Sequence, residues 1–401
     1  MRNVKNQKII LVSNIGSMSR KYFVYVVNKK TKDIQELFNI GFDKKDYHPE
    51  LQDLSQALLK FFEIAKRDYN FFVQDIDVIL ERVVAVGEYF LEHKEIDQKY
   101  LFELEKVKKY NSLHTESLIH ELQQIFLMQE VCQKNKIKAK FKLLGISDSA
   151  FHKTIAPEIY TYGLKSKKDE TNNLSFRKFG YHGISASEVN RDLNNLNKNQ
   201  KVIVVHLGGG GSVTAIKNNK SIYNSFGMTP VSGLMSMTRC GEIDPIIILE
   251  IFQKNKKSFS LLDDIDYQML KTKKELYEES GMLALTGHKD MREILADLQL
   301  ENNAKNKTSK DLAEFAIQVY LNLVVKEIAA AFAFLGGCDM LCLTGSILEK
   351  SEVIRKKLLV KLHWLNSGSN FEKGNLKKNI KIIKTTEEIE MVRIMLEEFR
   401  I

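Results

Sequence analysis

Residues 202–216 read VIVVHLGGGGSVTAI, a β-branched run, a turn of four glycines and a second apolar run. Two such runs joined by a small-residue turn predict a β-hairpin. Residues 9–27 read IILVSNIGSMSRKYFVYVV and repeat this design about half a chain earlier. Because the pattern occurs twice, we predict one fold used twice rather than two unrelated domains.

The rest of the chain alternates between strand-like and helix-like segments. Apolar residues recur at helical spacing across residues 50–145, with a β-branched segment at 76–86 between them. A strongly helical stretch, residues 312–334, precedes a third strand-to-glycine turn, MLCLTGS, at 340–346. This alternation predicts an α/β protein whose sheet is largely buried. A length of 401 residues allows about two to three domains.

Composition excludes several classes of protein. The formal charge is +9, but basic residues are scattered and interleaved with acidic ones, which favours a solvated surface over a nucleic-acid footprint. The four cysteines form no Cys-x-x-Cys pair and indicate reduced thiols rather than a zinc site. The longest apolar candidate, 328–335, is well short of the roughly 20 residues of a membrane helix. We therefore expect a cytoplasmic protein with no nucleic-acid or membrane partner.

Several residues could carry chemistry, although each has a plain structural alternative. Arg82 and Arg239 stand among apolar or small residues, where a buried arginine needs either a structural carboxylate or an anionic ligand. His182 lies between glycine-rich neighbours, and Asp148 could serve as a helix N-cap. Glu387 fits the first turn of the last helix. The two glycine- and serine-rich turns could cradle a phosphate or be ordinary tight turns.

Taken in order, these segments closely resemble the signature sequences of the acetate kinase family, which belongs to the actin-like and sugar-kinase ATPase superfamily. The similarity extends from about residue 9 to residue 395. The matching segments are residues 14–21, 82–84, 148–152, 179–183, 206–208, 229–230, 233–235, 238–239, 244–245, 280–281, 290–292 and 386–388.

The resemblance implies a fold and an assembly. The fold class is α/β, with two actin-like (ribonuclease H-like) domains whose duplicated core surrounds a nucleotide cleft. Residues 1–150 together with 386–401 would form the acetate side, and residues 151–385 the nucleotide-binding domain. The resemblance also implies a homodimer.

The activity implied by the resemblance is reversible transfer of the γ-phosphoryl group of ATP to acetate, giving acetyl phosphate and ADP. The cofactors would be ATP or ADP and Mg²⁺, with Mn²⁺ as an alternative. By this resemblance Arg82 and Arg239 hold the carboxylate and the transferring phosphoryl group. His182 donates a hydrogen bond to it, and Asp148 completes the catalytic set. The metal would be positioned by Asn14, Asp148 and Glu387.

The same resemblance assigns two binding regions. The acceptor pocket would be lined by Arg82, Val84, Leu113, Tyr181 and Pro230, with Tyr181 standing where the family usually has Phe. The nucleotide would contact Asn14, Ser17, Ser19, Lys21, His206, Leu207, Gly208, Gly209, Gly210, Asp290, Met291, Arg292, Gly345, Ser346 and Ile347.

This sequence departs from the family pattern mainly on the nucleotide side. Gly209 stands where the family usually has Asn. Residues 344–350 read TGSILEK where the family has Thr-(Gly/Ala)-Gly-Ile-Gly-Glu-Asn, so Ser346 and Leu348 replace two glycines. We expect altered nucleotide affinity or base preference with activity retained. The alternatives are a propionate or butyrate kinase of the same family, or a catalytically weakened nucleotide-binding regulatory protein.

Overall fold

The structure is a computed structural model that describes residues 6–16, 19–43, 54–194, 200–255, 265–301, 306–367 and 379–399. Its strands are β1 (Gln7–Ile15), β2 (Ser19–Asn28), β3 (Ile34–Asp43), β4 (Val78–Val83), β5 (Lys94–Glu95), β6 (Lys142–Ser147), β7 (Lys168–Asp169), β8 (Leu174–Ser175), β9 (Lys201–Leu207), β10 (Gly211–Lys217), β11 (Lys220–Asn224), β12 (Met340–Thr344) and β13 (Ile380–Ile382).

Two sheets share one strand order. The first runs β3-β2-β1-β4-β6-β5 and the second β11-β10-β9-β12-β13. In each, three antiparallel strands are followed by two strands parallel to the third of them (β1 or β9), and β5 adds an antiparallel edge strand to the first sheet. The predicted hairpins are β1-β2 and β9-β10, and each begins its sheet. The prediction of a duplicated α/β fold is confirmed.

Helices cover both faces of both sheets. They are α1 (Ala57–Tyr69), α2 (Gln98–Val107), α3 (Ser112–Lys134), α4 (Pro157–Tyr160), α5 (Gly183–Asn194), α6 (Pro245–Lys254), α7 (Ile265–Glu278), α8 (Gly281–Thr286), α9 (Met291–Leu298), α10 (Lys307–Leu335), α11 (Ser346–Lys350), α12 (Glu352–Lys361) and α13 (Glu387–Glu398).

Side-chain alternation along β1 explains how one strand is buried on both faces. Leu11 and Ile15 point into a core shared with α1, α2 and α3. Ile10 and Val12 point to the opposite face, which α13 covers. The last helix therefore packs on the first sheet, although β13, just before it, belongs to the second.

The second sheet is buried in the same way. On one face α10 packs with α8, α9, α11 and α12, and on the other Val189 and Leu193 of α5 fill the space. Among the described residues, α10 is the one helix long and apolar enough to cross a membrane. Its residues Ile317 and Leu321 are fully buried in this core, so its apolar face already has a packing partner.

Candidate active site

A cavity of about 570 Å³ lies where the carboxyl ends of the parallel strands of both sheets face each other. Such strand ends are a common place for ligand sites in α/β folds. The cavity brings together residues that the sequence analysis singled out: Asn14, Ser19, Lys21, Arg82, Val84, Asp148, Tyr181, His182, His206, Gly208, Gly209, Gly210, Pro230, Arg239, Gly345, Ser346 and Glu387.

Arg82 lies within β4, between the buried residues Glu81 and Val83, and is held by two carboxylates from other parts of the chain. Its Nη2 lies 3.0 Å from Asp148 Oδ2, and its Nη1 lies 2.9 Å from Glu387 Oε2. Nη1 also donates to Asn14 Oδ1 at 3.2 Å. The structural ion pair considered for this arginine therefore exists, and it fixes the guanidinium at the cavity wall.

These contacts set the charges of the group. Burial disfavours the charged form of Arg82, but Asp148 and Glu387 outweigh it and raise its pKa. Burial would likewise raise the pKa of Glu387, yet the charge of Arg82 brings that pKa below its usual value. Both groups are therefore ionised at neutral pH. The amide of Asn14 donates to Glu388 Oε1 at 2.8 Å, which ties β1 to α13.

Arg239 lines the same cavity but has a different environment. Only 8% of the residue is exposed, and no carboxylate among the described residues pairs with it. Its Nη1 donates to the Pro230 carbonyl at 3.2 Å, and its Nη2 lies 3.1 Å from His114 Nε2. Burial lowers the pKa of Arg239 to about 10, with a further contribution from the charge of Arg82. A buried cation without a counter-ion is the environment expected of an anion-binding residue.

His182 enters the cavity between the two halves of the molecule. Its backbone is in the left-handed region (φ 59°), and its N–H donates to Asp148 Oδ2 at 3.0 Å. Asp148 thus accepts a hydrogen bond at the start of α5 as well as binding Arg82. Burial, His206 and Arg82 lower the pKa of His182 well below its usual value, so the ring is neutral. Ser212 Oγ lies 3.0 Å from its Nδ1, and donation from this hydroxyl leaves the Nε2 hydrogen as the donor.

The predicted acceptor pocket has a wall of Val84, Tyr181 and Pro230. The hydroxyl of Tyr181 donates to the Met228 carbonyl at 2.7 Å, so the extra oxygen relative to Phe has a partner of its own. His114 completes the wall beside Arg239. The side chain of Leu113 and all of Ser17 lie outside the described residues.

The glycine positions on the nucleotide side differ in what they require. Gly345 has φ +83°, and a Cβ there would stand 2.5 Å from the Leu207 carbonyl oxygen, so only glycine fits. Nothing lies within 4 Å of a Cβ built on Gly209. Leu348 is fully buried in the core of the second sheet and does not line the cavity, unlike Ser346.

Some predicted nucleotide contacts are not brought to the cavity. Asp290 instead caps α9 by accepting the Arg292 N–H at 2.9 Å, and Met291 is buried in the core. The side chains of Leu207 and Ile347 also belong to that core. None of these five residues is among those that line the cavity.

The structure adds residues that sequence reasoning missed. They are His114, Glu349, Lys350, Lys384, Thr385 and Glu388, all of which line the cavity. The adjacent pair Glu387-Glu388 was a usable signal for the last. His114 gave little signal because Thr115-Glu116-Ser117 replaces the family's usual Asn-Pro-Pro.

The donor set fits a hydrated magnesium ion. Two carboxylates, Asp148 and Glu387, flank one guanidinium and share the cavity with Asn14. Mg²⁺ is held in nucleotide enzymes by one or two carboxylates with waters and substrate phosphates, rather than by a full protein cage. The described residues contain no group of three or more His, Cys, Asp and Glu arranged to hold a metal.

Comparison with known proteins agrees with this site and fold. The model of the Acetokinase family matches residues 9–398. An acetate kinase of Fusobacterium nucleatum is 30% identical over 96% of this chain and 95% of its own length. One from Mycoplasma pneumoniae is 32% identical over 86% of this chain and 84% of its own.

Solved structures give the same fold. A propionate kinase from Francisella tularensis has a TM-score of 0.72 and 26% identity, covering 96% of this chain and 98% of that one. An acetate kinase from Entamoeba histolytica has a TM-score of 0.71 at 23% identity, covering 98% and 100% of the two chains, and bears on the fold alone. With a family match over nearly its whole length and relatives at 30% identity or above, the chain belongs to the acetokinase family.

Proposed function

We propose that this protein is a magnesium-dependent acetate kinase that transfers the γ-phosphoryl group of ATP directly to acetate. The observation that carries the proposal is Arg239, a buried guanidinium with no described carboxylate partner, in the same cavity as the paired Arg82. An anionic substrate bound at Arg239 would supply the negative charge that no described carboxylate provides there.

The chemistry needs positioning more than bond-making by the protein. A carboxylate oxygen of acetate attacks the γ-phosphorus, the bond to the β-phosphate oxygen breaks, and ADP leaves with that electron pair. Acetate is already ionised at neutral pH, so no general base is required. In line with this, no described group in the cavity has to remove a proton from the acceptor.

Three side chains suit the charge that develops during transfer. The forked guanidinium groups of Arg82 and Arg239 match the oxygens of a carboxylate and a phosphoryl group. The neutral ring of His182 offers its Nε2 hydrogen to an equatorial oxygen, a preorganised electrostatic contribution. Asp148 and Glu387 would hold Mg²⁺, which when bound neutralises phosphate charge and orients the donor.

Water must be kept from the phosphoryl group. We propose that the predicted domains, residues 1–150 with 386–401 and residues 151–385, close around the two substrates. The contacts from Tyr277 Oη to the Tyr110 carbonyl, 3.0 Å, and from Lys273 Nζ to the Lys109 carbonyl, 2.8 Å, already join these parts on one side of the cavity.

The direct test is an acyl-phosphate assay with hydroxylamine, using MgATP and acetate, propionate or butyrate. We expect product with acetate and none with the Arg239→Ala variant. Absence of product from every acid at saturating MgATP would refute the kinase proposal. Faster turnover with propionate would instead support the second candidate, a propionate kinase, which the similarity to the Francisella tularensis enzyme favours.

An exposed apolar surface supports the proposed homodimer. No residue of α6 is buried, and its Ile246, Ile247 and Leu249 are 62%, 50% and 56% exposed. Neighbouring α7 adds Ile265 and Leu270, at 63% and 66%. Exposed apolar side chains on two helices that pack together are typical of an interface. Leu249→Glu should give a monomer by light scattering, and an unchanged dimer would exclude this surface.

The cysteines bear on the proposed cytoplasmic location. All four are free, and burial raises the pKa of Cys240, beside Arg239, to about 11. A thiol that stays protonated is a poor nucleophile, so Cys240 is not set up for ready oxidation. Free buried thiols are in keeping with a reducing compartment.

A further inference from the structure

One end of the cavity is built from the carboxyl ends of three adjacent parallel strands. β12 pairs with β9 (Thr344 opposite His206) and with β13 (Leu343 opposite Ile382). Beyond these ends lie the glycine turn 208–210, Gly345 at the start of α11, and the loop that leads into α13. A Cβ on Gly208 would stand 3.4 Å from Ser346 Oγ, so the glycine turn and α11 are in close contact.

Two lysines, Lys350 and Lys384, line the cavity at this end. Lys350 ends α11 and Lys384 follows β13. Both are exposed, and neither has a hydrogen bond or ion pair to any described residue. Glu349, the nearest carboxylate in sequence to Lys350, is already used, because its Oε1 accepts from the Gly345 N–H at 3.0 Å. Neither ammonium group is therefore tied to a described carboxylate by an ion pair, although Glu349 also lines the cavity.

Two lysines of the neighbouring α12 are paired instead. Lys356 lies 2.7 Å from Glu352, and Lys357 lies 2.8 Å from Glu314. The carboxylates Asp148 and Glu387 in the same cavity are paired with Arg82. Lys350 and Lys384 are thus available to attract a multiply charged anion that enters the cavity beside the glycine turn.

We infer that Lys350 and Lys384 bind the phosphate groups of the phosphoryl donor and set its affinity. A lysine ammonium is a compact point charge that pairs with phosphate without a fixed geometry, which suits residues on exposed loops. The inference rests on the proposed function, because it names residues that hold the donor of that reaction.

The test compares Lys350→Asn, Lys384→Ala and the double variant with the wild-type protein. The KM for MgATP should rise about threefold to tenfold for each single variant and further for the double, as expected for partly screened charge pairs. The KM for acetate and kcat should stay within about twofold, because the acceptor end is unchanged. Lys350→Arg and Lys384→Arg should restore the KM for MgATP.

Two controls distinguish this inference from the proposed kinase activity on which it rests. Lys356→Ala removes an exposed lysine outside the cavity and should leave the KM for MgATP unchanged. Calorimetric titration with ADP tests the contribution of the lysines to binding without turnover. The affinity for ADP should fall in the double variant. An unchanged ADP affinity and KM for MgATP would overturn the inference. A wild-type protein that binds ADP but phosphorylates no acid would overturn the proposed function alone.

Discussion

Replacing Arg239 with methionine should remove activity and stabilise the fold at the same time. The substitution keeps most of the side-chain volume but removes a charge that is buried without a described carboxylate. If Arg239 served only to stabilise the fold, the substitution would lower stability and leave activity intact. The variant therefore distinguishes a residue kept for a ligand from one kept for folding.

The size of the stability effect follows from the environment of Arg239. Burial lowers its pKa from 12.5 to about 10. At about 1.4 kcal/mol per pKa unit, this corresponds to about 3 kcal/mol that disfavours the charged group in the folded state. Losing the hydrogen bonds to Pro230 and His114 reduces this gain in stability by about 1 kcal/mol each. We expect the free energy of unfolding to rise by about 1 kcal/mol.

The activity effect should be much larger. Losing a guanidinium that holds transition-state oxygens costs about 3–5 kcal/mol, or two to four orders of magnitude in kcat/KM. The assays are acyl-phosphate formation and urea unfolding without substrate. Turnover near the wild-type rate, or a loss of more than about 2 kcal/mol of stability, would refute the reasoning.

Arg191→Met is the matched control. Arg191 joins α5 to α13 through Glu390, at 2.9 Å, and through Glu397. The Glu390 side chain is 0% exposed, and without Arg191 it keeps only Ser187 and the more distant Arg393, so stability should fall by about 1–3 kcal/mol. Because Arg191 does not line the large cavity, kcat at a permissive temperature should stay close to the wild-type value.

Other changes test separate parts of the structure. Burial and the neighbouring Glu121 raise the pKa of Glu81 well above its usual value, so the folded state keeps a proton that the unfolded state releases above about pH 4.5. The free energy of unfolding should therefore fall as pH rises through the raised pKa. In Glu81→Gln, the free energy of unfolding measured with urea should depend less on pH between pH 5 and 8. An unchanged slope would contradict the raised pKa. Gly345→Ala should lose about 2 kcal/mol or more in the same assay, because φ is +83° and the new Cβ meets the Leu207 carbonyl, whereas Gly209→Ala should be close to neutral. Ser212→Ala frees the His182 ring and should lower kcat about tenfold with little change in KM, and a wild-type kcat would remove Ser212 from the site.

The fold was predictable because its signals are local. An apolar run, a small-residue turn and a second run specify β1-β2 and β9-β10 without reference to the rest of the chain. The long helix α10 was also visible, although it begins at Lys307 rather than at residue 312. The course of α13 back to the first sheet depends on which apolar faces remain uncovered, which no local pattern records.

The site was predictable only in part, for a related reason. The sequence motifs identified Arg82 and Arg239. They did not predict the ion pair of Arg82, because its partner Glu387 lies near the other end of the chain. Asp290 and Arg292 matched a motif, yet within the structure they form a local helix cap. Leu348 departs from the motif of the resemblance, but its side chain lies in the core and does not line the cavity.

In the proposed reaction the two arginines would have different roles because they differ in their partners. Arg82 is neutralised by Asp148 and Glu387, which fixes its position whether or not substrate is bound. Arg239 is not neutralised, and the charge of Arg82 adds to the unfavourable energy of its burial. An incoming anion therefore relieves energy that the free protein stores, so binding should stabilise the fold more in the wild type than in Arg239→Met. Thermal shifts with acetyl phosphate should show this difference, and equal shifts would mean that the ligand gains nothing from Arg239.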